Sequence, residues 1–234
     1  RVSLVGSEMC IRDSIKGDDA EGRHDAVFSF TGKSGKDWHI TIEDDGLVDL
    51  ILKTNRLGAK DADLFMYISE AGNEVDLKAE HINQYIRDSS GMGFTAKNFR
   101  TWAATSRCAE RLAFLSSKRT AAEMKKWLKS IPSVESMDKL WSEGDWDVPT
   151  TDTGRNKAML AVIDTVAANL GNTRTVCRSS YIHPWFLDAW AEGRLGEAWA
   201  EFEDMRAMGN MTPGESTTLR ILKSVIKLSL IHIS

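Results

Sequence analysis

Three separate stretches of the chain carry side chains that could together transfer a phosphoryl group. They are Gly32-Lys-Ser-Gly-Lys36, which contains Lys33; Phe94-Thr-Ala-Lys-Asn-Phe-Arg-Thr-Trp102, which contains Arg100; and residues 170–184, which contain Tyr181. A phosphodiester is cut without a metal when a nucleophile attacks in line, cationic donors stabilise the phosphoryl oxygens, and an acid protonates the leaving alkoxide. Each of these roles has one candidate here.

Tyr181 is the candidate nucleophile. A phenol can form a covalent phosphotyrosyl ester and later leave again, which makes strand cutting reversible. The alternative for an isolated tyrosine is packing at a helix end with a hydrogen-bonded hydroxyl. Asn172 lies nine residues earlier and Pro184 three residues later.

Arg100 is the candidate for stabilising the phosphoryl oxygens. Its planar guanidinium presents a fork of donors that suits two oxygens, which a lysine point charge matches less well. A surface salt bridge is the alternative. Lys97, three residues earlier on the same helical face, can reach the same phosphate or its neighbour.

Lys33 is the candidate general acid. An ammonium at the tip of a hairpin can reach a nearby phosphodiester and protonate the departing oxygen. Lys36 in the same turn is interpreted as a contact to a backbone phosphate or as a solvated side chain. The turn lacks the longer loop and the Lys-Ser or Lys-Thr helix start of a nucleotide-binding loop, so no ATP site is expected.

Metal and disulfide chemistry is not expected. The histidines are scattered at His24, His39, His81, His183 and His232, without metal-ligand spacing. The cysteines, Cys10, Cys108 and Cys177, are odd in number and widely spaced, so they form neither a disulfide framework nor a zinc pattern. We interpret Cys177 as a buried filler. We therefore expect no cofactor and no metal.

The composition bounds the class of protein. With 234 residues and 42% hydrophobic content, the chain can form one sizeable domain or two small ones. A net charge of −4 argues against coating of nucleic acid through bulk charge, so any such binding must be local. Basic residues fall in or beside the three stretches, at Lys33, Lys36, Lys97, Arg100, Arg107, Arg174 and Arg178. No apolar run approaches the roughly 20 residues that span a bilayer, so we expect a cytoplasmic protein.

Hydrophobic patterning predicts the elements that must position these residues. Residues 26–31 and 37–43 alternate around a turn, as in a hairpin, residues 64–69 form a third strand, and residues 46–56 and 76–88 form helices. From Thr95 onward the chain is mostly helical, with capping boxes at Thr120 and Thr212, a loop over residues 144–154, and core tryptophans at 127, 141, 190 and 199. The prediction is an α+β fold, mostly α, with a small three-stranded antiparallel sheet.

Both ends of the chain have a foreign character. Residues 1–14 and 228–234 resemble peptides that arise when sequencing-adapter DNA is translated. We expect residues 15–227 to be the native part, a catalytic domain truncated at its N-terminus.

The three stretches, in this order, resemble the catalytic domain of type IB DNA topoisomerases, in the bacterial and poxvirus-like branch. The resemblance runs from about Val27 to about Leu222. It implies the topoisomerase IB and tyrosine-recombinase-like core, acting as a monomer on duplex DNA, associated with the nucleoid. It further implies relaxation of supercoils through a 3′-phosphotyrosyl intermediate on Tyr181, without ATP or metal.

The resemblance also gives roles to residues near the tyrosine. Asn172 matches a position that is histidine in the poxvirus-like members and asparagine in many bacterial relatives. Its amide can donate to a phosphoryl oxygen but cannot carry a proton, so its expected role is electrostatic. Arg174 and Arg178 are expected to hold phosphates of the cut strand, with a plain helix-surface position as the alternative.

One departure from the family weakens the expected activity. The family uses a further arginine well upstream of the lysine hairpin, and neither Arg12 nor Arg23 is assigned that role. The family's N-terminal DNA-clamping domain is not recognisable either. Loss of one preorganised donor typically costs about a hundred- to a thousandfold in rate, so we expect this fragment to be severely impaired.

Two alternatives remain open. A tyrosine recombinase shares the fold and the chemistry, but would have a histidine near the second arginine and a Leu-Gly-His start to the tyrosine block; Lys97 and Leu170-Gly-Asn172 favour the topoisomerase. A catalytically impaired DNA-binding fragment is the other alternative, supported by the missing arginine.

Overall fold

The computed structural model describes residues 2–4, 9–16, 25–31, 37–54, 57 and 65–231. The chain divides into two compact units, residues 1–93 and 94–234. No helix in the described part of the chain is long and apolar enough to cross a membrane.

The first unit contains a four-stranded antiparallel sheet. Its strands β1 (Val2–Leu4), β2 (Met9–Lys16), β3 (Asp25–Thr31) and β4 (Asp37–Ile42) lie in sequence order. The β3 and β4 register runs from Ala26 opposite Ile42 to Thr31 opposite Asp37, which confirms the predicted hairpin strands. Alternation along β3 buries Ala26 and Phe28 together with Val48 of helix α1 (Asp45–Thr54).

The predicted three-stranded sheet is wrong. Strand β5 (Met66–Ile68) pairs with β6 (Glu74–Asp76) as a separate two-stranded sheet, across a turn in which Gly72 has a φ of 80°. Closing so short a loop costs little entropy, so β5 finds its partner locally. The main sheet gains its extra strands, β1 and β2, largely from the residues predicted to be foreign. Helix α2 (Ala79–Ser90) starts after β6, later than predicted.

The second unit is helical throughout its regular elements. The helices are α3 (Ala96–Leu115), α4 (Ala121–Leu128), α5 (Glu135–Leu140), α6 (Asp152–Leu170), α7 (Arg174–Ser180), α8 (Pro184–Ala191), α9 (Leu195–Ala200) and α10 (Pro213–Ile231). This confirms the prediction of a mostly helical chain after Thr95. Helices α3 and α6 supply much of one continuous buried core.

Helix starts in this unit follow local capping chemistry. The Thr120 hydroxyl accepts from the Glu123 amide at 3.3 Å, and the Glu123 carboxylate accepts from the Thr120 amide at 2.8 Å. Thr212 and Glu215 form the same reciprocal pair, followed by Pro213 as the first helical residue. Thr95 caps α3, the helix that carries Arg100.

The tryptophan prediction is also confirmed. Trp190 is buried, while Trp127, Trp141 and Trp199 pack against the edge of the same core. The Trp190 indole N–H donates to the Arg155 carbonyl at 2.8 Å, which satisfies its polar atom. The fold therefore provides a packed helical body that carries Arg100 and Tyr181.

Candidate active site

Arg100 and Tyr181 lie together in the helical unit. Arg100 is exposed in the second turn of α3, and its guanidinium carbon lies over the Tyr181 ring, 5.4 Å from the ring centroid. Its Nη2 donates to the Leu170 carbonyl at 2.9 Å. Leu170 is the last residue of α6, where carbonyls lack intrahelical partners and a cation is favoured by the helix dipole. Arg100 is therefore anchored through one donor, and its other donors have no partner within the residues that the structure describes.

Asn172 lies just beyond this anchor, at the end of α6. Gly171 adopts a left-handed φ of 66°, and its N–H bonds the Ala168 carbonyl at 3.2 Å. The Asn172 N–H bonds the Ala167 carbonyl at 2.9 Å, which completes a Schellman motif. The glycine is needed because other residues rarely adopt this conformation. The backbone of Asn172 is thus fixed relative to the Leu170 carbonyl that holds Arg100.

The Asn172 side chain has an unusual hydrogen-bond state. Its Nδ2 is shielded from solvent and has no hydrogen-bond partner among the described residues. A buried donor without a partner is costly, and such groups in folded proteins ask for a specific explanation. An acceptor placed against this nitrogen would remove that cost.

Tyr181 itself is the residue that ends helix α7. Its N–H bonds the Cys177 carbonyl at 3.1 Å, and its φ of −130° and ψ of −21° leave the helical range. The ring is half-buried against the core. Within the described part of the chain its hydroxyl has no hydrogen-bond partner. Among those residues, the hydroxyl-bonded tyrosine considered as the alternative is not seen.

Cys177 lies one helical turn before the tyrosine and is buried. Burial raises the pKa of its thiol to about 11, against a smaller opposing effect from the Arg100 charge. A thiol of that pKa is a poor nucleophile near neutral pH. The interpretation of Cys177 as a buried filler is confirmed.

Arg174 makes an ion pair instead of standing free. Its Nε donates to Asp164 Oδ1 at 2.6 Å and its Nη2 donates to Asp164 Oδ2. Partial burial opposes ionisation of Asp164, but the hydrogen bonds from Arg174 and Ser136 keep the pKa of its carboxyl below the ordinary value. The pair ties α7 to α6. To bind a further anion, Arg174 must use its remaining N–H donors or leave Asp164.

The other predicted cations divide into two groups. Lys97 on α3 and Arg178 on α7 are exposed, and their charged groups have no partner within the described ranges. Both are free to meet an anion. Lys33 and Lys36 lie in residues 32–36, outside the described residues, so the structure does not place them.

One residue of this region carries no sequence signal. Thr105 of α3 is buried, and its hydroxyl bonds both the Tyr181 carbonyl and the His183 amide, each at 3.1 Å. A threonine within a helix ordinarily bonds back to its own helix. Only the tertiary contact distinguishes Thr105 from other helical hydroxyls.

Comparison with known proteins identifies a family and a relative to which the chain is similar. A family model described as the eukaryotic DNA topoisomerase I catalytic core matches residues 14–185, a range that contains Lys33, Arg100, Asn172 and Tyr181. The DNA topoisomerase 1B of Acanthamoeba polyphaga mimivirus is 36% identical over 112 residues, which cover 46% of this chain. The matched part spans 33% of the length of that viral relative.

These matches support type IB but not the bacterial branch suggested by the motifs, because the matched family is the eukaryotic one and the relative is viral. The family match extends over well more than half of the chain. The chain therefore belongs to the topoisomerase I catalytic-core family, of type IB.

Proposed function

We propose that this chain carries the strand-cleaving and strand-resealing centre of a type IB topoisomerase that relaxes supercoiled duplex DNA. The observation that carries the proposal is the placement of the Arg100 guanidinium over the Tyr181 ring, 5.4 Å from its centroid. A cationic fork beside a phenol whose hydroxyl has no partner among the described residues suits in-line attack on a phosphodiester.

The chemistry runs by transesterification. Tyr181 Oη attacks the phosphorus, the new P–Oη bond forms, and the bond from phosphorus to the 5′ oxygen breaks. The phenolic proton passes to solvent, and Lys33 gives a proton to the departing 5′ oxygen. The 3′-phosphate stays on Tyr181 while the duplex rotates. The reverse attack reseals the strand, and exchange of equivalent esters needs neither ATP nor a metal.

Arg100 and Asn172 stabilise the charge that develops during this step. Arg100 is held by the Leu170 carbonyl through Nη2, so its other donors can face two phosphoryl oxygens without reorganisation. Asn172 Nδ2, which is shielded and has no hydrogen-bond partner among the described residues, donates to one of these oxygens once its side chain turns outward. This contact also explains why the fold tolerates a shielded donor.

Cations around the site hold the duplex. Lys97 and Arg178 bind backbone phosphates of the cut strand, with Arg174 and Lys36 as further contacts. Because a net charge of −4 gives no overall attraction to DNA, binding depends on these local charges. Affinity should fall steeply with salt as phosphate contacts release counterions.

Relaxation of supercoiled plasmid tests the proposal. We expect slow relaxation with EDTA present and ATP absent, in line with the impairment expected from the sequence, and its loss in Tyr181→Phe. Tyr85→Phe is the matched control, since Tyr85 lies in α2 and is 72% exposed. Relaxation that persists in Tyr181→Phe would contradict the proposal. Recombinant products from two marked plasmids would instead support a recombinase.

A further inference from the structure

We propose that Thr105 is a positioning residue for strand cleavage, because its hydroxyl holds the turn that carries Tyr181 against the helix that carries Arg100. The inference rests on the proposed function, since it assigns Thr105 a part in that reaction. Thr105 touches neither the phosphodiester nor the phenol. It acts through the backbone on both sides of Ile182.

The hydroxyl makes two bonds that cross the fold. Thr105 Oγ1 donates to the Tyr181 carbonyl at 3.1 Å and accepts from the His183 N–H at 3.1 Å. Both backbone groups belong to the turn between α7 and α8, where helix ends leave such groups without intrahelical partners. One side chain therefore satisfies both, and the intervening Ile182 is buried in the core.

This use of a helical hydroxyl differs from that of its neighbours. On the same helix, Thr101 donates back to the Lys97 carbonyl at 3.1 Å and Ser106 to the Trp102 carbonyl at 3.0 Å. Those bonds stay within one helix and fix nothing else. The Thr105 hydroxyl is directed across to a different segment.

The consequence is a fixed distance between the nucleophile, Tyr181, and the guanidinium of Arg100. Thr105 lies five residues after Arg100, or about 7.5 Å along a helix that rises about 1.5 Å per residue. The turn that carries Tyr181 is therefore held in place by α3, the same helix that carries the guanidinium above the Tyr181 ring. A shift of about 1 Å between reacting groups can lower a rate by about a hundredfold.

Single-turnover cleavage of a nicked suicide duplex at saturating protein tests the inference. Thr105→Val keeps the side-chain shape and removes the hydroxyl. We expect its rate of covalent adduct formation to fall by about ten- to a hundredfold, with unchanged DNA affinity. Thr105→Ser should restore the rate. A loss of affinity with an unchanged rate would overturn the inference.

Thr218→Val is the matched control. Thr218 is a buried threonine of α10 whose hydroxyl bonds the Gly214 carbonyl of its own helix at 2.8 Å. Its loss removes a buried hydroxyl without touching the tyrosine turn. We expect an unchanged cleavage rate. An equal loss in Thr218→Val would show a general effect of packing and overturn the positioning role.

A measurement without DNA separates this inference from the proposed function. The chain has three tyrosines, Tyr67, Tyr85 and Tyr181, so 3-fluorotyrosine labelling gives a simple fluorine NMR spectrum. In Thr105→Val only the Tyr181 resonance should move. An unmoved Tyr181 resonance overturns the inference, whatever the cleavage assay shows. Absence of any adduct with the unchanged protein overturns the proposed function instead.

Hydrogen exchange of the unchanged protein decides the matter if Thr105→Val does not fold. The His183 amide should be protected, because it donates to the buried Thr105 hydroxyl. Exchange of that amide at the rate of an open chain would overturn the inference.

Discussion

The two units of the chain hold their residues in different ways. In the helical unit, the candidate site is joined by bonds between segments distant in sequence: Arg100 to Leu170, Thr105 to Tyr181, and Arg111 to Thr165 and Asn169. In the first unit, the described strands pair with neighbours along the chain, and no residue of α2 is buried. Its buried cluster is small, consisting of Ala26, Phe28 and Val48 with a few partly buried neighbours.

This difference follows the demands of the proposed reaction. Donors that stabilise a transition state must be fixed before the reaction begins, because reorganisation would consume their benefit. In the proposed reaction Arg100 is such a donor, and its bond to the Leu170 carbonyl holds it at the end of α6. A proton donor on a long, flexible lysine stem, the role proposed for Lys33, needs less exact placement.

Replacement of Arg100 should have the largest effect. We expect Arg100→Ala to lower the single-turnover cleavage rate by about a hundred- to a thousandfold, because one preorganised donor group is lost. Arg100→Lys should recover little, since a point charge does not replace the fork. Arg107→Ala, an exposed arginine on the same helix, should weaken DNA binding and leave the rate at saturating protein unchanged. Equal rates for Arg100→Ala and the unchanged protein would exclude Arg100 from the chemistry.

Truncation of one apolar side chain in each unit tests the structural side of the comparison. Leu112 of α3 is fully buried, so Leu112→Ala should cost about 2 to 5 kcal/mol of unfolding free energy. Ile82 of α2 is 43% exposed, so Ile82→Ala should change it by no more than about 0.5 kcal/mol. Urea unfolding followed by circular dichroism measures both. Similar losses at the two positions would break the comparison.

Replacement of Asn172 should have the smallest effect and a distinctive signature. Asn172→Ala removes a donor that would bond a charged oxygen, worth about 1.5 kcal/mol or roughly tenfold in rate. It should not lower the unfolding free energy, because the lost nitrogen has no partner among the described residues. Asn169→Ala is the control: Asn169 accepts from the buried Arg111 at 2.8 Å, so its loss should destabilise the fold. A less stable Asn172→Ala would show that the amide has a structural partner.

Local chemistry made much of the fold predictable. The starts of helices at Thr95, Thr120 and Thr212 follow from capping residues read directly in the sequence. The strands of the first hairpin follow from alternation over a few residues. The closeness of Arg100 and Tyr181 was expected from the family resemblance, because no local pattern relates them.

The incorrect predictions concern strand pairing, in which alternative strands compete for the same partner. Strand β5 was predicted correctly, but its assignment to the hairpin sheet was wrong, because β6 lies closer along the chain. Glu74–Asp76 carries too short an apolar signal to separate it from the helix that follows. Thr105 and the Arg174–Asp164 pair escaped prediction, because a side chain's partner across the core leaves no periodic trace in the sequence.

The most direct test of the account is the identity of the residue that bonds to DNA. The protein is incubated with a nicked suicide duplex, denatured and digested, and the nucleotide-bearing peptide is sequenced by mass spectrometry. The account predicts that the 3′-phosphate is esterified to Tyr181. An adduct on another residue, or the same adduct yield from Tyr181→Phe, would contradict it.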